Sequence, residues 1–187
     1  MTRVDLFTTI HKGIRSLLFE AALETARADL SSTCEVDKLV ARIERMLGFL
    51  EEHARHEDAV IVPALRTVDP VLAATLAAEH QTHPSVHAAV ERAARALAMA
   101  PEGDRIVSGK HLMRVVNQLV SMQLMHMNHE ETIVNAGLWG AYGDGELLAM
   151  RGRIVERIPD DRHAEWQAVL IPAVDPTERL VLGGAVE

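Results

Sequence analysis

One phrase, written twice 73 residues apart, constrains this chain more than anything else in it. The first copy is His53-Ala54-Arg55-His56-Glu57-Asp58, followed by an aliphatic run through Val60, Ile61, Val62 and Leu65. The second is His126-Met127-Asn128-His129-Glu130-Glu131, followed by Ile133, Val134 and Leu138. Both read His-x-x-His-Glu-acid. Helical residues four apart share one face, about 5–6 Å from each other. His53 with Glu57, and His126 with Glu130, can therefore each grip one cation or reach across to a second. A looser echo precedes each copy: His11 lies 42 residues before His53, and His80 lies 46 before His126. The chain reads as two helix pairs, each giving a lone His and then a His-x-x-x-Glu. A pseudo-twofold of that kind sets two half-sites face to face.

The pattern around these residues is helical. Leu6, Ile10, Ile14, Leu17, Leu18 and Ala21 recur at helical spacing, which predicts a first helix from about Val4 to Ala28. A second is expected from Glu35 to Arg66, with Leu39, Ile43, Leu47 and Leu50 on one stripe and Pro63 bending its last turn. Asp69-Pro70 is a helix start, with Asp as N-cap and Pro in the first turn. That third helix runs to Met99, and Pro84 predicts a kink or break just after His83. A fourth is expected from Arg105 to Leu138. Short connections make neighbouring helices antiparallel, so the expected fold is all-α: an antiparallel up-down four-helix bundle. Three shorter helices follow, over Glu146–Ile158, Asp160–Val174 and Asp175–Leu182. The expected organisation is a bundle over residues 1–142 and a helical extension over 143–187 packed on it.

Composition excludes other classes. Lys and Arg number 19 against 27 Asp and Glu, for a net charge of −8 and no basic run. Nucleic acid needs a basic footprint and is not expected as a partner. The single cysteine, Cys34, rules out an internal disulfide framework and a cysteine-rich zinc site. No stretch approaches a membrane span, no signal peptide is read at the N-terminus, and a reducing cytoplasm is the expected setting.

The candidate ligands are His11, His53, Glu57, His80, His126 and Glu130. If both glutamates bridge, each of two metals receives two nitrogens and two oxygens, and a solvent-derived oxo or hydroxo bridge makes five. That leaves one open position per metal. Mixed imidazole and carboxylate donors suit iron, manganese or zinc, with iron favoured for a symmetric carboxylate-bridged helical site. A lone helical His is commonly a surface residue, and for His11 alone that reading has equal weight. Two copies of His-x-x-x-Glu in apolar helices are harder to dismiss. His83 and His87 form a further pair four apart, either of which could add a fifth nitrogen, and they rank below His80. His56 and His129 are expected beside the ligands or at the rim, and His111 and His163 on the surface. Met122, Met125 and Met127 are expected as core filler. Cys34 is expected to be incidental. A zinc-protease His-Glu-x-x-His is absent, because Val60 and Ile133 stand where the second His belongs. The Glu-x-x-His of ferritin-type sites is absent too.

Lone His11, His53-x-x-x-Glu57 running into Val62-Pro63-Ala64-Leu65, Glu79-His80, and His126-x-x-x-Glu130 together resemble the hemerythrin-like HHE domain over residues 5–138. The resemblance implies a four-helix bundle with two iron ions, oxo- or hydroxo-bridged. It implies small-molecule partners: O2, hydrogen peroxide or NO. The chain departs from the oxygen-carrier pattern, which has five histidines and His-x-x-x-x-Asp on the last helix. Here position 131 is Glu and position 84 is Pro. The expected function is therefore reaction with peroxide or O2, as in peroxide decomposition and oxidative-stress protection. The alternative is a module that binds or senses O2, NO or iron without turnover, the extension relaying its state.

Overall fold

The computed structural model describes residues 3–183, and among them there are helices and no strands. Four long helices carry the fold: α1 (Thr8–Arg27), α2 (Thr33–Val68), α3 (Pro70–Met99) and α4 (Arg105–His129). α4 continues through a π-helical turn over Glu130–Val134 into α5 (Asn135–Ala141), and α6 (Asp144–Val155), α7 (Asp160–Ala173) and α8 (Pro176–Gly183) follow. The expected domain ranges include residues 1–2 and 184–187, which lie outside the described residues.

Capping sets the helix ends. α1 begins at Thr8 rather than Val4 because the Asp5 carboxylate accepts from the Phe7 and Thr8 amides at 2.8 and 2.9 Å, satisfying donors a helix start leaves free. Ser32 caps α2 through the Glu35 amide, and Asp69 caps α3 through the Leu72 amide with Pro70 next in line. The break expected after His83 does not occur: α3 runs unbroken past Pro84. Pro84 is exposed, so its ring faces solvent, where water can meet the carbonyl it leaves unpaired. The opposite face buries Leu76, Val90 and Leu97, each worth about 1.5–3 kcal/mol. Together they outweigh the roughly 3 kcal/mol cost of an interior proline. Pro63 is likewise exposed inside an unbroken α2.

The four helices pack in a closed ring, α1 on α2, α2 on α3, α3 on α4 and α4 on α1. Two apolar clusters fill the ring. One holds Ile14, Leu18, Ile43, Leu50, Val90, Leu97 and Leu119; the other holds Phe7, Ile61, Leu65, Leu76, Val134 and Leu138. Along α1 and α3 the chain passes from the second cluster to the first, and along α2 and α4 from the first to the second. Each long helix crosses the same polar layer between them, and the predicted ligands sit there.

The later helices lie against this ring. α7 packs on α1 so closely that a Cβ at Gly13 would come within 2.8 Å of a Leu170 methyl, which would have to move aside. Buried Glu52 on α2 accepts from Arg162 of α7 at 2.7 and 3.0 Å, and Trp166 of α7 meets Phe49 edge-on with ring centroids 4.5 Å apart. α6 packs on α2. No helix among the described residues is long and apolar enough to cross a membrane.

Candidate metal centre

The six predicted ligands converge. Two groups of four buried side chains meet in the polar layer: His11, His53, Glu57 and Glu130, and His80, His126, Glu57 and Glu130. Within each group the donor atoms lie within 4.8 Å of one another. The glutamates belong to both groups and divide their oxygens between them. Glu57 turns Oε1 to His53 Nε2 at 3.1 Å and Oε2 to His80 Nε2 at 3.5 Å. Glu130 turns Oε2 to His11 Nε2 at 3.3 Å and Oε1 to His126 Nε2 at 3.3 Å. Each glutamate thus offers an oxygen to both groups, an arrangement that could hold metal cations.

The buried polar atoms fit that occupancy. Glu57 is 3% exposed and Glu130 is fully buried, yet none of their four oxygens accepts a hydrogen bond. A buried carboxylate that accepts no hydrogen bond is costly to a fold, even beside imidazoles that can carry charge. Here the imidazole nitrogens approach the oxygens but do not aim hydrogens at them, as donors gathered around a common cation would.

A second set of carboxylates explains why the nitrogens face inward. Glu131 sits 2.9 Å from His11 Nδ1, Asp58 sits 2.7 Å from His80 Nδ1, and Glu79 sits 2.8 Å from His126 Nδ1. A carboxylate at Nδ1 holds the N–H there and leaves the Nε2 lone pair free for a metal. His80 and His126 are both held so, and their Nε2 atoms face each other at 3.2 Å. At that distance the two atoms can share a proton in the metal-free protein, and a metal ion would take that proton's place.

Charge follows the same geometry. Burial opposes a charge on His11, but the Glu130 and Glu131 carboxylates outweigh it and raise its pKa to about 9. Burial likewise opposes a charge on His80, and Glu130, Glu57 and Asp58 raise its pKa to about 11. Burial pushes His53 down to about 3, against the pull of Glu57 and with the help of its histidine neighbours. For Glu130 the histidines around it overcome burial and hold it well below the usual carboxylate range.

His83 and His87, the lower-ranked pair, are buried but belong to neither group of four. The His83 ring stands edge-on to His126, centroids 4.6 Å apart, and burial pushes its pKa down to about 3. Both ring nitrogens of His87 are without hydrogen-bond partners. His129 Nδ1 lies 2.9 Å from the second oxygen of Glu79, His56 is half-buried and His111 is exposed. His163, expected on the surface, is half-buried. Met127 is core, whereas Met125 is 73% exposed and fills nothing. The orienting roles of Asp58, Glu79 and Glu131 were not foreseen. Their signal was present: an acid directly follows each glutamate common to the two groups and directly precedes His80.

Fold and site define a helical protein with a histidine and carboxylate cage that can hold metal cations. A family model described as the hemerythrin HHE cation binding domain matches residues 2–136, and the chain belongs to that family. No curated protein and no solved structure matches it.

Proposed function

We propose that the chain is a non-haem di-iron protein that reacts with peroxide or O2 in oxidative-stress protection. The ligands are His11, His53, Glu57, His80, His126 and Glu130, held by an antiparallel up-down bundle. The alternating direction in which the four helices cross the polar layer supports that topology. Residues 1–142 form the metal-binding unit and 143–187 an extension of it, and a reducing cytoplasm suits its lone cysteine. One observation carries the reading: four buried carboxylate oxygens without hydrogen bonds, ringed by four inward-facing imidazoles.

Bound iron would supply Lewis acidity and an electron reservoir. The chain's own residues do the remaining work. Glu131, Asp58 and Glu79 keep the Nδ1 protons on the outside, the apolar clusters keep bulk water away, and the two glutamates tie both halves to one pair of side chains. The test is metal content together with peroxide consumption, wild type beside Glu57→Ala/Glu130→Ala. About two irons per chain, the number that a paired carboxylate bridge serves, and peroxide loss confined to the wild type are expected. Wild-type protein without metal after growth in ample iron would end the reading.

A second reading is a sensor of O2, NO or iron without turnover. It is favoured by α7 pressing on Gly13, two residues from His11. Equal hydrogen exchange of α7 in metal-free and metal-loaded protein would remove it.

A further inference from the structure

A cavity of about 330 Å³ lies between the ring of helices and the later helices, and it ends on the centre. His53 and Glu57 form its inner end, with His56 beside them. Phe7, Ile10 and Ile61 make the wall on the bundle side, and Ile154, Ile158 and Leu170 make the wall on the side of α6, α7 and the turn between them. A water molecule takes up about 30 Å³, so the space, about ten water volumes, is several times what a two-atom oxidant needs. It falls within the range of about 300–1,000 Å³ typical of pockets for organic ligands, which pair apolar walls with a few polar groups.

The polar groups are informative. Trp166 lines the cavity, is 4% exposed, and its indole N–H has no acceptor. That nitrogen has almost no accessible surface of its own, so Trp166 offers the cavity its ring rather than its N–H. The charged lining groups do not favour an anion. Asp5, Glu57 and Glu178 all contribute carboxylates, and Arg151, the one Lys or Arg among the described lining residues, already donates to the Asp5 carbonyl at 2.9 Å.

From these features we infer a substrate site: the pocket admits an uncharged organic molecule with an apolar body, and delivers it to the His53–Glu57 edge of the centre. The delivery step rests on the di-iron reading above; the pocket's occupancy does not. The substrate class is then an organic one, carried by walls that the later helices supply.

The test uses full-length protein with Trp139→Phe, which leaves Trp166 as the sole tryptophan of the two. The probe is 2-phenyl-2-propanol, redox-inert and with one oxygen, followed by Trp166 emission with and without bound iron. Saturable one-to-one binding is expected, weakened roughly tenfold or more by Ile154→Phe, which fills the cavity, with metal content and helicity unchanged. Val155→Phe, at a lining position 45% exposed, guards against a variant that fails to fold and should weaken binding in the same direction. No saturable change in emission, or equal affinity in folded filled variants, overturns the inference. Binding that survives metal removal upholds the pocket even if the iron reading fails. Iron without probe binding upholds the iron reading and removes the pocket.

Discussion

The two halves of the centre share a plan and differ in their surroundings. The His80–His126 half is braced on every side. Both of its Nδ1 atoms are held by carboxylates, His129 Nδ1 lies 2.9 Å from Glu79, and the His83 ring packs edge-on against His126. The His11–His53 half has one outer carboxylate, Glu131, shared with Arg15 at 2.7 and 3.0 Å. His53 Nδ1 has no carboxylate among the described residues, and the cavity opens on this edge. The two lone histidines show the same divergence. Three and seven residues after His80 stand His83 and His87; at the same offsets from His11 stand Ile14 and Leu18, both fully buried. A pseudo-twofold built by a repeated motif is therefore broken by what packs around it. One half is enclosed by carboxylates and rings, and the other borders the cavity.

The largest expected effect tests what the halves share. Glu130→Ala removes an oxygen from both, and metal content should fall to near zero. His11→Ala or His126→Ala should each cost one metal and leave the other. Equal loss from all three variants, by metal analysis, would mean that the halves do not bind independently.

Next come the outer carboxylates. Glu131→Gln and Asp58→Asn should each weaken metal binding by about 10–100-fold, the usual cost of losing an orienting partner. Glu131 should cost more, since its side chain is 20% exposed against 52% for Asp58 and solvent screens the latter. Competition with a chelator measures both, and the reverse order would contradict the comparison.

The pH dependence of the metal-free fold is smaller. His53 and His83 have pKa values of about 3 in the fold against 6.5 unfolded. Between those values the unfolded chain takes up protons that the fold refuses, so stability should fall as pH drops below 6.5. His11 and His80, raised to about 9 and about 11, act at the other end. Their contribution is complete below 6.5 and is lost as pH rises through those values. Urea midpoints should therefore peak near pH 6.5, and metal should flatten the alkaline limb because Nε2 no longer carries a proton. An alkaline limb unchanged by metal would place the metal elsewhere.

The smallest effect isolates one buried group. His87→Leu removes two unpartnered ring nitrogens and should raise stability by about 1 kcal/mol without changing metal content. Lost metal would make His87 a ligand after all.

Much of the site was legible because its geometry is local. A His and a Glu four apart on a helix must share a face, whatever the rest of the chain does. His11 and His80 were legible only through the symmetry of their spacing. Asp58 and Glu131 stood in the repeated motif, but the imidazoles they orient belong to other helices, and no local rule reports that. Glu79 adjoins His80 in sequence yet serves His126. Pro84 suggested a break that α3 does not have, because propensity counts the lost hydrogen bond and not the buried face opposite it. The cavity could not be read at all: its walls lie more than 140 residues apart, at Phe7 and Ile154, and meet only after the chain folds back.

The widened turn at Glu130–Val134 has a consequence for how the last long helix is read. There the Asn135 amide bonds to the Glu130 carbonyl, five residues back, so one residue more than a regular turn requires is accommodated. Everything after it is rotated by about 100°, the angle of one residue. The helix thus carries two messages in different phase. Before the turn, His126 and Glu130 address the interior layer; after it, Trp139 donates to the Val4 carbonyl and Tyr142 to the Ala64 carbonyl, closing the end of the molecule. The extra residue insulates one from the other. Deleting a residue between Thr132 and Val134 would leave every ligand in register and turn Trp139 and Tyr142 away from their acceptors, so the molecule would come unlatched at its end with its centre intact.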